Sequence, residues 1–307
     1  MAAQYQKQYS DAVILFYDSE FGSPPAYLNT MGIDTSRVVH TPVMNVEELK
    51  FDMMAQLQGL NRGDHVFILI DSLGNLASKK EVEDAKSEKS VADMTRAKSI
   101  KSLFRIVTPY FTMLDIPGVV INHVYAGQGM FPTTTVSGGT GVMLSSDTVW
   151  IITKSQQKDG TELTGWSFNI GIEKSRFVRE KKRIPVLVDY EHGMNTYSGL
   201  LDIAQITGHV TKPKKGWYTR HMVDKETGEV IEDKNWRASA TNCKEFWHDL
   251  MKNSDFEDAV QTEYSIGELD AEEMVKADSF DFEINEEETT DVSDGAPNAP
   301  DLIEAEG

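Results

Sequence analysis

The sequence predicts an α/β fold in which strands and helices alternate over the first two thirds, giving a mostly parallel sheet covered by helices. Three observations carry this. Val66 to Asp71 (VFILID) and Ala12 to Tyr17 (AVILFY) are apolar runs too short for typical helices, and they read as buried strands. Each runs into acids, Asp71 in the first case and Asp18-Ser19-Glu20 in the second. Around them, apolar residues recur at helical spacing, as in Val46, Leu49, Met53, Met54 and Leu57.

The elements follow in order. After the Ala12 strand, Pro24-Pro25 opens a short helix through Tyr27 and Leu28 that stops at Gly32. Val38-Val39 is a short strand, and the Val46 to Leu57 helix precedes the Val66 strand. A long helix then sets Val91, Met94, Leu103, Phe104, Val107 and Phe111 on its apolar side, and Pro117-Gly118 leads into Val119 to Asn122. From Asp147 the strands lie close in sequence: Val149 to Thr153, Trp166 to Glu173, and Pro185 to Tyr190. They predict an antiparallel extension of the sheet. Beyond Ser198 comes a small α+β unit, with a helix at Leu200 to Ile206, a hairpin around Lys225 to Gly228, and helices near Lys244 to Met251 and Phe256 to Tyr264. The expected division is 1–197 for the core, 198–266 for the small unit and 267–307 for an acidic, mostly disordered tail.

Charge separates these parts. The chain of 307 residues has a formal net charge of −19. Residues 268–307 hold fifteen of the 49 acids and one of the 30 bases, a net of −14, which leaves −5 for the rest. Within it, Asn285 to Gly307 is acidic, apolar-poor and Pro- and Gly-containing, and is expected to be disordered, either as a solubilising tail or as a tethered polyanion competing with nucleic acid. The single Cys243 fits a reducing compartment, and neither a signal peptide nor a membrane span is expected.

In open α/β sheets ligands bind at the carboxyl ends of strands, and a strand-terminal acid near Mg²⁺ is a recurring part of nucleoside triphosphatases. A strand-terminal Asp also starts ordinary turns, so Asp71 gains weight only from Glu20 on the same rim. No G-x-x-x-x-G-K-[ST] phosphate loop occurs in the sequence. From His123 to Gly141 the chain is rich in Gly, Thr and Ser. It reads as a loop that a ligand orders or as a flexible surface loop, with Tyr125 and Phe131 placed to meet bases. Ser78 to Ser90 (SKKEVEDAKSEKS) reads as a second mobile stretch, followed by a basic stripe of Lys98, Lys101 and Arg105 on one helix face. The densest positive cluster is Lys174, Arg176, Arg179, Lys181, Lys182 and Arg183, in place to supply cations to a phosphate on a neighbouring subunit.

Together the blocks FYDSEFGSPPAYL, FILIDSLGNLASKKE, SVADMTRAKSIKSLFRIVTPYF, INHVY, SGGTG, IEKSR, YSGLLDIA and KPKKGWY resemble the tailed-phage UvsX recombinases, relatives of bacterial RecA. The resemblance runs from about Tyr9 to Tyr264. It implies a RecA-like ATPase core whose first strand and phosphate loop fall outside this sequence, so that the chain is expected to be the C-terminal part of a split or truncated recombinase. It implies ATP and Mg²⁺ as cofactors, with Glu20 polarising the attacking water, Asp71 as the Walker B acid near Mg²⁺ and Ser72 beside the nucleotide. Tyr27 resembles the aromatic that stacks on adenine. His123 stands where the family senses the γ-phosphate, a position at which RecA has glutamine. Lys174 and Arg176 resemble the basic pair that reaches the ATP of the next protomer.

The two glycine- and lysine-rich stretches resemble the family's DNA-binding loops. This implies DNA contacts for Lys79, Lys80, Lys86, Lys89 and Arg96 in the first, and for Tyr125, Phe131, Gly138 and Gly139 in the second. The implied activity is homologous recombination and repair by an ATP-dependent, homo-oligomeric filament on single-stranded DNA that catalyses strand exchange. The implied setting is the host cytoplasm, away from membranes. Implied partners are a separately encoded N-terminal fragment with the phosphate loop and phage single-strand-binding and loader proteins. A non-enzymatic DNA-binding or filament-modulating subunit is the alternative, and an unrelated α/β binding module would require all eight blocks to be coincidence.

Overall fold

The computed structural model describes residues 1–87, 95–126, 134–224 and 227–266. The chain opens with α1 (Ala2–Gln8), β1 (Val13–Asp18) and α2 (Pro25–Thr30), then β2 (Val38–Pro42), α3 (Val46–Gln58) and β3 (Val66–Asp71). Helices α4 (Lys79–Lys86) and α5 (Thr95–Leu114) lead to β4 (Gly118–Val120). The four strands form a parallel sheet in the order β2-β1-β3-β4. The side chains of β1 and β3 alternate between its faces, as strand geometry requires. Ile14, Phe16 and Phe67 pack with Ala2 and Leu28 on one side. On the other, Leu15, Tyr17, Ile68 and Ile70 meet Val46, Leu49, Met53 and Leu57 of α3 and Ile100, Leu103, Phe104 and Val107 of α5. Helices on both faces explain why β1 and β3 read as continuous apolar runs.

Local chemistry starts and ties the helices. Asn45 caps α3 by accepting from the Glu48 amide at 2.9 Å. Each of the four buried apolar side chains of α3 then contributes roughly 1.5–3 kcal/mol. Glu47 joins three helices, taking the Lys79 amide of α4 at 2.8 Å on one oxygen and the Ser99 hydroxyl of α5 at 2.6 Å on the other. The expectation of a mobile stretch at Ser78 to Ser90 needs correction. Ser78 and Glu81 form a reciprocal capping box that starts α4, and residues 79–86 are helical. Residues 88–90 of that stretch, with Val91 and Met94, lie outside the described residues.

The Gly-rich segment is also more ordered than expected. β5 (Val124–Ala126) pairs with β6 (Thr134–Val136), and α6 (Gly141–Ser145) follows; residues 127–133, with Phe131, are outside the described set. Gly138 and Gly139 take φ values of +79° and +82°, and a Cβ on Gly138 would lie 2.7 Å from Ile100 Cδ1. These glycines let the chain turn tightly against α5.

Antiparallel strands β7 (Thr148–Asp159), β8 (Glu162–Ser175), β9 (Arg183–Asp189) and β10 (Gly193–Met194) come next. Among the described residues they pair only with one another, in the order β10-β9-β8-β7. They make a second sheet and do not continue the parallel ladder. Strand β4 is three residues long, and just beyond it the Ile121 amide still donates to the Ile70 carbonyl at 2.9 Å while the Asn122 side chain donates to the Ser137 carbonyl.

The remainder holds α7 (Leu200–Ile206), a sheet of β11 (Val210–Lys214), β12 (Trp217–Val223) and β13 (Val230–Arg237), then α8 (Lys244–Asn253) and α9 (Phe256–Tyr264). It has its own core of Ile203, Val210, Met222, Phe246, Trp247, Leu250 and Phe256. The buried guanidinium of Arg220 binds Glu232 Oε1 at 2.7 Å and the Phe246 carbonyl at 2.6 Å, so its charge is met on both sides. Strand β11 was not expected from the sequence. Among the described residues no helix is long and apolar enough to cross a membrane.

Candidate functional site

β1 and β3 end in register, with Asp18 opposite Asp71. The pairing continues one step further, the Ser19 amide donating to the Asp71 carbonyl at 2.8 Å. The Ser19 hydroxyl donates to the Ser72 carbonyl at 2.7 Å and accepts from the Ser72 amide at 3.0 Å, fixing the two strand ends to each other. The Asp71–Ser72 peptide is cis.

Buried Asp18 shapes the turn after β1. Its Oδ1 accepts from the Glu20 and Phe21 amides at 2.9 and 2.7 Å, and Phe21 takes a φ of +55°. Its Oδ2 lies 3.0 Å from His40 Nε2, and the His40 ring stacks on Phe16 with centroids 4.9 Å apart. Glu20 therefore leaves the rim in a fixed direction. The Ser72 hydroxyl donates to Glu20 Oε1 at 2.6 Å, and His123 Nε2 lies 3.3 Å from the same oxygen.

His123 arrives from the segment after β4, and its ring lies over Gly74. A Cβ on that glycine would stand 2.6 Å from His123 Nδ1, so only glycine admits this approach. Gly74 belongs to a 3-10 turn, Leu73–Asn75, whose Asn75 side chain donates to the Ser19 carbonyl at 2.9 Å.

Three carboxylates thus share one rim. Burial, then the neighbouring Glu20 and Asp18 charges, pushes the Asp71 carboxyl above its ordinary value, while His123 pulls the other way. A divalent cation relieves that repulsion, and carboxylate oxygens are the donors Mg²⁺ prefers. Glu20, held by a hydroxyl and an imidazole with its carboxylate partly open to solvent, suits the orientation of a water molecule.

The structure brings Glu20, Asp71, Ser72 and His123 together and leaves the other expected residues elsewhere. Tyr27 is 51% exposed on α2, which comes after the Glu20 turn. Lys174 donates to the carbonyls of Met143, Leu144 and Ser146 at 2.8, 3.1 and 2.7 Å, closing the end of α6. Arg176 pairs with Asp147 at 3.0 Å on the surface. Lys79, Lys80 and Lys86 are exposed on α4, Tyr125 is exposed on β5, and Lys89 and Phe131 are outside the described residues. Arg96, expected at a DNA loop, instead turns inward onto backbone carbonyls. Asp18, Ser19, His40, Gly74 and Asn75 were not singled out from the sequence. The DSE and SLGN runs were visible, but their roles depend on backbone turns.

Comparison with known proteins gives a consistent set. The model for the C-terminal domain of the bacteriophage T4 recombination and repair protein matches residues 197–260. The recombination and repair protein of Enterobacteria phage T4 is 55% identical over 279 residues, covering 91% of this chain and 71% of its own. RecA of Streptomyces rimosus is 24% identical over 67% of this chain, and RecA of Bifidobacterium breve 25% over 69%. The chain spans 54% and 53% of those two RecA proteins, about half their length.

Proposed function

The chain belongs to the RecA-like family of the phage T4 recombination and repair protein, UvsX, and from that premise we propose that it acts as part of an ATP-driven filament on single-stranded DNA, catalysing strand exchange. The observation that carries this reading is the convergence of Glu20, Ser72 and His123 beside Asp71 at the carboxyl rim of a parallel sheet. In it, Asp71 faces Mg²⁺ and Glu20 orients the attacking water, itself held by the Ser72 hydroxyl. His123 responds to the γ-phosphate through the shared Glu20 oxygen, and Tyr27 offers its ring to adenine. Bound Mg²⁺ supplies charge neutralisation to the phosphoryl group. Phosphoryl transfer asks little covalent chemistry of a protein, so positioning and charge are what these residues contribute.

Lys174 and Arg176 act on the ATP of the next protomer. For Arg176 this means leaving an exposed ion pair worth about 0–1 kcal/mol. Lys174 must leave three carbonyls, a larger rearrangement. Lys79, Lys80, Lys86, Lys89, Tyr125, Phe131, Gly138 and Gly139 meet DNA. Residues 1–197 act as the core and 198–266 as a C-terminal domain, working in the host cytoplasm with phage single-strand-binding and loader proteins. ATP binding of this kind uses a phosphate loop, and a segment that carries one is part of the proposal, no such motif occurring in the 307 residues.

The test mixes the chain with a separately made segment bearing the phosphate loop and measures ATP hydrolysis with and without single-stranded DNA. The chain alone is expected to show little turnover, the mixture to restore it, and Glu20→Gln to abolish it. Lys174→Ala or Arg176→Ala is expected to be rescued by mixing with Glu20→Gln chains, because intact donor and receiver sides then meet at some interfaces. Association without Glu20-dependent turnover favours the second reading, a non-enzymatic DNA-binding or filament-modulating subunit.

A further inference from the structure

Arg96 sits near the start of α5, and its guanidinium spans two segments distant in sequence. Its Nε donates to the Leu76 carbonyl at 2.5 Å, and its Nη2 to the Leu73 and Gly74 carbonyls at 3.1 and 2.8 Å. Its Nη1 donates to the Ser137 hydroxyl at 3.3 Å. The Leu73 carbonyl also accepts from the Leu76 amide at 3.3 Å, whereas a one-turn 3-10 segment leaves its later carbonyls without intrahelical partners, and a cationic planar fork answers them in one geometry.

Both segments bear directly on His123. The turn supplies Gly74, the surface under the His123 ring. Buried Ser137 lies at the base of the β5–β6 hairpin, where its amide donates to the His123 carbonyl at 2.9 Å and its carbonyl accepts from Asn122 Nδ2 at 2.9 Å. The turn is held to the residue just after β4 as well, the Leu73 amide donating to the Ile121 carbonyl at 2.8 Å.

We propose that Arg96 is a positioning residue whose guanidinium locks the turn after β3 to the base of the β5–β6 hairpin, so that the seat of His123 beside Glu20 and the placement of the hairpin move together. Displacing the hairpin base then pulls on the Gly74 turn through one rigid fork, and displacing the turn pulls on the hairpin. The consequence for turnover rests on the proposed nucleotide site; the mechanical link between the two segments does not.

The experiment is amide hydrogen exchange on the full chain, followed in peptides spanning 70–77 and 134–140. The amides of Leu73 and Leu76 report the turn, and that of Ser137 reports the hairpin base, since each is hydrogen-bonded. Arg96→Ala is expected to speed exchange in both peptides together, by about tenfold or more. Arg96→Lys is expected to do the same, because an ammonium keeps the charge and loses the fork. Ser137→Ala cuts one arm and is expected to loosen the hairpin peptide alone. Arg37→Ala is the control, removing a guanidinium that binds the Tyr9, Ser10 and Ala12 carbonyls, and it is expected to alter neither peptide. Loosening of only one peptide in Arg96→Ala, or wild-type exchange in Arg96→Lys, overturns the proposal. Should Arg96→Ala fail to fold, the Lys and Ser137→Ala variants decide it. Failure of the ATPase reading leaves these exchange results unchanged, so the two are separable.

Discussion

At the scale of single residues, the rim is built from acids held against their own repulsion. The Asp71 carboxyl is raised by burial and then by Glu20 and Asp18. A carboxyl raised in the folded state gives stability that is present below its ordinary value of 3.8 and is lost as pH rises through the folded value. Asp71→Asn is therefore expected to raise Tm near neutral pH, with the gain shrinking as pH falls toward 4, as scanning calorimetry across that range will read. Added Mg²⁺ is expected to stabilise the wild type more than the variant, and equal responses would separate Asp71 from any cation. Gly74→Ala tests the His123 seat. The added Cβ collides with a ring that is nearly half exposed, and it also stands 3.1 Å from His123 Cβ, so the backbone there must give by a few tenths of an ångström and a stability cost of about 1 kcal/mol is expected by denaturant titration. The His123–Glu20 contact is expected to be lost, readable as a changed imidazole environment by NMR. Glu20 and Asp71 were legible because each lies at or just past the end of an apolar run. Asp18 and Ser19 stand there too, but their roles, like that of His40, consist in tying one backbone turn to another, a relation that spacing along the chain does not encode.

At the scale of elements, the helices and central strands emerged from periodicity, and the departures have local causes. The Ser78-Lys-Lys-Glu81 run carried a capping-box signal, but the density of charge along α4 masked it. Ser78→Ala is expected to cost about 1–2 kcal/mol, measured by thermal or denaturant unfolding, since the capping hydroxyl is fully buried. A change within error would mean that the Glu47 contact to the Lys79 amide holds the start of α4 unaided. Strand β11 (VTKPK) escaped notice because it carries Pro213 and two lysines. It is an edge strand, where proline is tolerated and lysines discourage further pairing. The second sheet's independence from the first was equally unreadable, since strand order depends on which edges meet in space.

At the scale of the whole molecule, charge and topology set the behaviour. Residues 268–307 carry −14 and the remainder −5, so if the chain binds DNA as proposed, the acidic end is expected to compete with DNA phosphates for lysines on the rest of the chain. Affinity for single strands falls with salt at a log–log slope of roughly −0.7 per phosphate neutralised. Deleting residues 285–307 is thus expected to tighten binding most at low salt, as titration of labelled single-stranded DNA at several salt concentrations will show. Identical affinities at every salt would leave the segment a solubilising appendage. The two sheets also differ in how far their partners lie apart along the chain. Val13 pairs with Val66 across a helical crossover, whereas Asp159 pairs with Glu162 across a tight turn. Closing long loops before any contact rewards them slows a chain, while hairpins form within roughly 1–10 μs. Refolding should therefore begin at the β7–β8 hairpin and spread to β9, with the ladder that aligns Asp18 and Asp71 completed late. In pulse-labelled exchange, amides of β7 and β8 are expected to gain protection before those of β1 and β3, so the rim carboxylates reach their final spacing among the last events of folding.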